Sequence, residues 1–532
     1  MLKVLEVVLR QLTLLGFAIV FFVAAGSLAL PLGPDQAVFA WVGGVILDGG
    51  VPYKDAWDIK GPLTHYVYAL AGLLFGRNEL SIRVLDIAFV VSCCWLLRKV
   101  VLSVSKGETL GANYAVILFC LMYYAGGYAD LAQPDGWGGM VILGVVALLL
   151  TPTTRPYIVM TIAGVLVAIA VLFKPTFLIY MLLPCIFGAN SRSENPGRLW
   201  PSVLCLFSFG LVIGAAGLLL ERAGALDDFL DVQRYLYTTY QHYKRPPWTL
   251  VRVIYEFGLL FPYLLVPLGW WRIRAECSSR SALLVALWFV LANLVVIAQG
   301  RYWQDHMLPA ATAAAVLAAV ALAYSSRRLL VREDQHLGLR ALGLSILLAA
   351  VAPLAARALS RNYHWPAYIA GLEAKVEYID HVMKPYNEVR TPFNYMELCE
   401  LADFIEHHSQ PDDKFVVWGW DVSLFDMSRR HSATRFGTFI PLITNGAVQG
   451  KFRNTFLREV SAHSPSYVII DTRGGWFYAD TSGLMLPDNV PKDTAGLRYL
   501  DEFPEFKQLV HSQYRLTSVV GVYQIWGRAP SE

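Results

Sequence analysis

Long apolar runs separated by short polar connections fill the first two thirds of this 532-residue chain. A helix rising ~1.5 Å per residue needs ~20 mostly apolar residues to cross a hydrocarbon core ~30 Å thick. Runs near that length begin around Leu14, Leu80, Ala112, Gly136, Tyr157, Thr176, Trp200, Thr249, Ala282, Leu308 and Leu339. The pattern predicts a polytopic α-helical membrane protein with about eleven transmembrane helices. Leu63–Phe75 is shorter and reads as an interfacial or re-entrant helix, and Ala37–Leu47 is apolar enough to lie in the interface. Leu14–Pro31 is too long for a signal-peptide core and is followed by similar runs, so it is expected to stay in the mature protein.

Near Ser360 the pattern breaks into short apolar segments interrupted by Pro and Gly. Glu397–His408 reads as an amphipathic helix, whereas Phe415–Trp418, Tyr467–Asp471 and Ser518–Trp526, rich in Val, Ile and aromatics, read as strands. The division expected is a transmembrane domain over 1–359 and a soluble α/β domain over 360–532, long enough to bury its own core.

Composition agrees with this reading. Hydrophobic residues make up 56% and charged residues 16% of the chain, with a mean hydropathy of +0.45. Those values exclude disorder, collagen and a small disulfide scaffold. A formal net charge of +3 is too small to suggest a nucleic-acid partner. Cys399 alone lies in the polar C-terminal third, so no disulfide forms within it, and no Cys/His spacing reads as a zinc site.

Charge placement sets an orientation. Lys3/Arg10, Arg98/Lys99/Lys106, Arg155, Arg192/Arg198, Arg272/Arg274/Arg280 and Arg327/Arg328/Arg332/Arg340 fall in one set of connections. Asp35, Asp48, Asp55, Asp58, Asp130, Asp135, Asp227, Asp228, Asp231 and Asp305 fall in the other. The basic set is expected in the cytoplasm, with the N-terminus inside and, after eleven crossings, the C-terminal domain outside.

The first outer loop concentrates candidate chemistry. Asp35 follows the first run directly, at the expected membrane surface, where a partly desolvated carboxylate suits a general base. Lys60 is a point cation suited to a phosphate. Lys174 and Arg301 interrupt apolar sequence on the same expected face, and charges in such places are functional candidates. A carboxylate with these three cations is expected to make one cavity, the cations stabilising a departing phosphate. Asp130 or Asp135 with Asp58 offers oxygen ligands for a divalent cation such as Mg2+ or Mn2+, though carboxylates alone name no metal. In the fourth outer loop Tyr235, Tyr237, Tyr240, Tyr243 and Trp248 form either an interfacial aromatic belt or an acceptor route that stacks on sugars.

The first loop resembles the GT-C superfamily of polytopic glycosyltransferases that use polyprenyl-phosphate sugars. The nearest branches are the lipid A aminoarabinose transferases, the rhizobial lipopolysaccharide galacturonosyltransferases and, more distantly, the protein O-mannosyltransferases. Asp35, Gly49/Gly50, Pro52-Tyr53-Lys54-Asp55, Asp58 and Lys60-Gly61-Pro62-Leu63 stand where that pattern has an acid after the first span, a Gly, a Pro-Tyr-x-Asp turn and an acid before Lys-Pro-Pro-Leu. Gln36 replaces a second acid found in several relatives, and Gly61 replaces the first Pro. Weaker matches follow in order: Asp130 to Asp135, Lys174-Pro175, Gly300-Arg301-Tyr302 with His306 and Pro309, and Val417-Trp418-Gly419-Trp420-Asp421 with Arg429-Arg430 and Arg435-Phe436.

The resemblance implies a glycosyltransferase of a bacterial inner membrane with a periplasmic C-terminal domain. Its donor would be a polyprenyl-phosphate sugar, its acceptor an envelope glycan, lipid or protein, and its reaction a single inverting displacement. Asp35 would be the base, and Lys60, Lys174, Arg301 and His306 would bind the phosphate. Asp58, Asp130 and Asp135 would orient sugar or metal. The alternative is a transporter or flippase of lipid-linked sugars, but such sites lie near the bilayer midplane between internal repeats. Here the acids gather in outer loops and no repeat is visible.

Overall fold

The structure is a computed structural model and describes residues 2–188, 199–240, 244–256, 258–331, 351–387, 395–472 and 495–530. The chain forms two compact units. One combines Met1–Leu30, Ile82–Ala216 and Pro246–Tyr363; the other combines Pro31–Ser81, Gly217–Arg245 and His364–Glu532. The polar C-terminal stretch therefore folds with two segments that the sequence pattern placed in outer loops.

The first unit is helical. Among the described residues six helices are long and apolar enough to cross a membrane: Val7–Ser27, Glu79–Val104, Pro156–Phe173, Trp200–Arg222, Ser279–Gln299 and Asp305–Arg327. Trp248–Tyr255 and Leu260–Glu276 would make a seventh span, bent by 95°. The break between them holds Gly258 at φ +65°, which favours glycine. Three further apolar runs appear as shorter helices, Thr109–Tyr124, Pro134–Leu150 and Pro175–Phe187. The run expected from Leu339 begins outside the described residues.

Asp305–Arg327 is almost entirely buried and rich in alanine, whose small side chains let neighbouring backbones approach. The approach is tightest at Gly269 of helix Leu260–Glu276, where a Cβ would stand 1.9 Å from the Leu317 carbonyl oxygen. Backbone on that side cannot rotate away as a side chain could. Gly269→Ala is therefore expected to separate the two helices at an overpacking cost of about 1–3 kcal/mol or more. The check is a lower melting temperature in detergent and loss of the monodisperse peak on size exclusion.

The second unit carries a five-stranded mixed sheet in the order β2-β1-β3-β5-β4. Its strands are β1 Lys414–Trp418, β2 His431–Ser432, β3 Tyr467–Asp471, β4 Tyr514–Val520 and β5 Tyr523–Arg528. β1 pairs in parallel with β2 and β3, and β5 pairs antiparallel with β3 and β4. The pattern Ser518–Trp526, read above as one strand, is instead the two arms of a hairpin. Gly521 at φ +52° turns the chain between them, and one glycine inside a Val-rich run is an easy turn to overlook. The core of this unit is aromatic, with Trp57, Tyr235, Trp418, Phe436, Phe452 and Phe456 all buried in one cluster. Helix Pro34–Leu47 belongs to the same unit, and its Trp41 stacks on Phe425 at 5.8 Å.

Candidate functional site

Proline sets where the candidate charges fall. Pro34, Pro62, Pro134 and Pro175 each open a helix, where the missing N–H costs nothing and φ is already helical. Asp35 and Asp135 thereby sit in first helical turns, at the positive end of the helix dipole. Lys174 immediately precedes one of the other two starts, and Lys60 stands two residues before the other, separated from Pro62 by the N-cap Gly61.

In the second unit, Lys60 Nζ lies 3.3 Å from Asp35 Oδ2 and 5.5 Å from the Phe39 ring centre. The Lys60 side chain is largely buried, whereas that of Asp35 is 42% exposed. Gln36, in place of a second acid, accepts the Gly33 N–H at 2.7 Å and so caps the helix. The Pro52–Asp55 turn expected from the motif is present. Tyr53 N–H donates to the Ala56 carbonyl at 2.6 Å, and Asp55 Oδ2 accepts the Val51 N–H at 2.8 Å. Tyr53, buried at φ +71°, then donates its hydroxyl to the Lys60 carbonyl at 2.8 Å, tying the turn to the cation.

Asp58 is buried. It accepts the Lys60 N–H at 3.2 Å and faces His65 Nε2 at 3.5 Å. Burial pushes its carboxyl up to about 7, against Lys60 and two backbone N–H groups and with help from Asp35. Burial likewise drives His65 down to about 3, so its imidazole is neutral. Asp35, Asp58 and Lys60 line a cavity of about 50 Å³ together with Phe39, Trp57, Tyr235, Tyr240 and Trp420. Tyr235 is buried edge-on against Trp57 at 5.4 Å and donates to Thr444 Oγ1 at 3.3 Å, which makes it a wall of the cavity rather than an interfacial anchor. Tyr243 lies outside the described residues.

Asp58 implies a pH dependence of stability. Its carboxyl titrates near 3.8 in the unfolded chain and near 7 when folded, so between those values the folded state binds the extra proton. Taken alone, Asp58 loses stability as pH rises through this window, whereas His65, held near 3 instead of 6.5, gains it over nearly the same range, so the two slopes largely cancel in the wild type. Asp58→Asn is expected to uncover the His65 slope, its stability gaining on wild type from pH 4 to 7 by up to about 4 kcal/mol. Thermal melts of both proteins across that range are the check.

The first unit brings together a second set. Lys174 Nζ donates to Asp135 Oδ2 at 2.7 Å and to Gln299 Oε1 at 2.6 Å, and Gln299 Nε2 donates to Asp135 Oδ1 at 3.3 Å. Asp135 is fully buried. Its carboxylate, with Asp305 and His306, forms a group whose donor atoms all lie within 4.8 Å of one another. Arg301 is buried too, just beyond Gly300, whose left-handed backbone ends helix Ser279–Gln299. With its amide oriented to satisfy both polar atoms, Gln304 donates to Asp130 Oδ2 at 3.3 Å.

The structure adds residues that the sequence reading passed over. Arg83 and Asp86 are buried charges on helix Glu79–Val104, inside a run read simply as a span. Asp86 Oδ1 accepts from Tyr123 Oη at 2.6 Å and from Trp137 Nε1 at 2.8 Å, while Arg83 donates to the Tyr128 carbonyl at 3.1 Å. Tyr123 also accepts the Ala132 N–H at 3.1 Å, so these charges fasten the segment bearing Asp130 and Asp135. In the tail, Arg435 joins Asp228 at 2.8 Å to Glu459 at 2.7 Å, and Arg430 is spent on Ser409 and on backbone carbonyls. These arginines hold the unit together.

No protein-family model matches the sequence, and no curated protein matches it. Solved structures do. ArnT from Cupriavidus metallidurans in the apo state matches with a TM-score of 0.58 at 15% identity, over 97% of this chain and 98% of that one. The same protein bound to undecaprenyl phosphate gives 0.57 at 14% identity, over 99% and 98%. An Archaeoglobus fulgidus oligosaccharyltransferase tethered to an acceptor peptide gives 0.52 at 12% identity, over 97% of this chain and 74% of that one. The chain thus shares with these structures the fold of a polytopic helical membrane protein with a C-terminal α/β domain.

Proposed function

We propose that this protein is an inner-membrane glycosyltransferase that moves a sugar from a polyprenyl-phosphate donor to a hydroxyl of an envelope glycan, lipid or protein on the periplasmic face. The observation that carries the proposal is the cavity where two carboxylates, Asp35 and Asp58, meet the Lys60 ammonium under an aromatic wall of Tyr235, Tyr240 and Trp420. Carboxylate, cation and aromatic face are what an acceptor hydroxyl, a sugar phosphate and a sugar ring require. The fold shared with ArnT, one of whose structures holds undecaprenyl phosphate, supports the donor class.

Asp35 takes the acceptor proton as the acceptor oxygen attacks the anomeric carbon. The bond from that carbon to the phosphate oxygen breaks, and polyprenyl phosphate leaves with the electron pair. One displacement inverts the anomeric centre. Lys60 offers its charge to the phosphate, and Lys174, Arg301 and His306 take the same role in their unit. Asp58 orients the sugar; Asp135 and Asp130 sit with the second set, and Tyr235, Tyr240 and Tyr243 serve the acceptor. Asp135, Asp305 and His306 are the residues that would hold a divalent cation, since two carboxylates and an imidazole suit Mn2+, and with an ion there His306 would be a neutral ligand, the phosphate being left to the other cations. Such an ion would supply a further positive charge for the leaving phosphate.

The test is incubation of the purified protein with radiolabelled polyprenyl-phosphate sugars and envelope extract. Label passing from lipid to an acceptor in wild type, and lost in Asp35→Asn, supports transfer. Label that stays on the lipid yet crosses the bilayer of sealed vesicles would replace the proposal with transport.

A further inference from the structure

Where the apolar part of the chain gives way to the polar tail, a tight turn gathers two histidines around one carboxylate. The short helix Trp365–Ile369 ends at Gly371, which at φ +71° reverses the chain into helix Lys375–Asn387. The two helices face each other through parallel ring pairs. Tyr368 lies on Tyr378 with centroids 4.7 Å apart, and His364 lies on His381 at 4.1 Å. Glu373, in the turn, reaches both imidazoles. Its Oε1 meets His381 Nδ1 in a short contact, and its Oε2 stands 3.6 Å from His364 Nδ1. The Glu373 side chain is nine-tenths buried, and its Oε2 accepts no hydrogen bond among the described residues.

We propose that His364, Glu373 and His381 form a binding site for one borderline divalent transition-metal ion of the zinc class. All three donor atoms lie within 4.8 Å of one another. Ligands on a tetrahedral ion with bonds near 2.1 Å sit about 3.4 Å apart, so the donors must draw together as well as reorient. Two imidazoles with one carboxylate favour Zn2+, Co2+ or Ni2+ over Mg2+ or Ca2+, which take oxygen. The ion would also bond directly to the buried Glu373 Oε2, which accepts no hydrogen bond among the described residues.

Parallel imidazoles cannot both aim an in-plane lone pair at one ion, so binding requires one ring to turn. His381 is half exposed and can rotate about Cα–Cβ, whereas His364 is the more enclosed of the two. The ion would then clip the short helix to the longer one across the turn, a structural closure separate from the Asp135, Asp305 and His306 group and independent of the transfer reaction.

The experiment uses the full-length protein in detergent, stripped with chelator and titrated with Co2+ alone, then with Zn2+ in competition. Expected are visible Co2+ d–d bands from one equivalent at this site, counted beyond any taken by the Asp135, Asp305 and His306 group, their loss on adding Zn2+, and a higher melting temperature with either metal. Glu373→Gln/His381→Gln should cut the affinity at least 100-fold while melting like the metal-free wild type. Asp305→Asn/His306→Gln should keep the bands. Bands and stoichiometry unchanged in Glu373→Gln/His381→Gln, or bands that vanish only with Asp305→Asn/His306→Gln, would overturn the proposal. So would a stripped wild type that takes up no Co2+.

Discussion

Asp35→Asn is expected to lower sugar transfer by roughly 10²–10⁴-fold, the usual contribution of a positioned general base. The isosteric amide cannot accept the acceptor's proton. It can still occupy the first turn of helix Pro34–Leu47 and face Lys60 at 3.3 Å, so the fold should survive. An exposed carboxylate contributes little to stability through such a pair, typically under 1 kcal/mol. The expected signature is therefore a collapse of kcat with melting temperature and donor binding near wild type. A drop in donor affinity alone would move Asp35 from base to phosphate-side positioning. Near-normal kcat would remove it from the reaction.

The way these residues come together explains what the linear pattern could and could not reveal. Asp35 and Lys60 were legible because charge close to an apolar run is costly, and a proline within two residues of each marks a helix start. Asp135 and Lys174 carried the same mark. Their mutual pairing was hidden, because it depends on which helix ends converge, and a span pattern holds no information about lateral neighbours. Gln299 was missed because a neutral amide at the end of an apolar run sends no charge signal, yet it bonds to both partners.

Asp86 and Arg83 were diluted by a 26-residue apolar helix that tolerates two charges without losing its span-like pattern. The tail's helix and first two strand segments could be read from periodicity and β-branched runs. The association of that tail with Pro31–Ser81 and Gly217–Arg245 could not, since it is built from aromatic contacts such as Trp57 with Phe436 and Phe452. Such contacts have no spacing in sequence.

Lys174→Met should be the most destabilising single change in the first unit. It leaves the fully buried Asp135 carboxylate, among the described residues, with the Gln299 amide at 3.3 Å as its side-chain donor where an ammonium stood at 2.7 Å. Stranding one member of a buried ion pair costs about 3–5 kcal/mol, mostly from the uncompensated charge. Removing that charge as well, in Lys174→Met/Asp135→Asn, should recover most of the loss, because the neutral pair no longer needs the ammonium. Melting temperatures of wild type, both single variants and the double variant close the cycle, with a coupling of a few kcal/mol expected for groups in direct contact. Transfer assays on the double variant then separate two roles. If Lys174 serves the leaving phosphate, the double variant transfers far less sugar than Asp135→Asn alone, since both lack the carboxylate and the double variant also lacks the cation. If instead its only task is to neutralise Asp135, the double variant and Asp135→Asn transfer alike, and the phosphate role passes to Lys60 and Arg301.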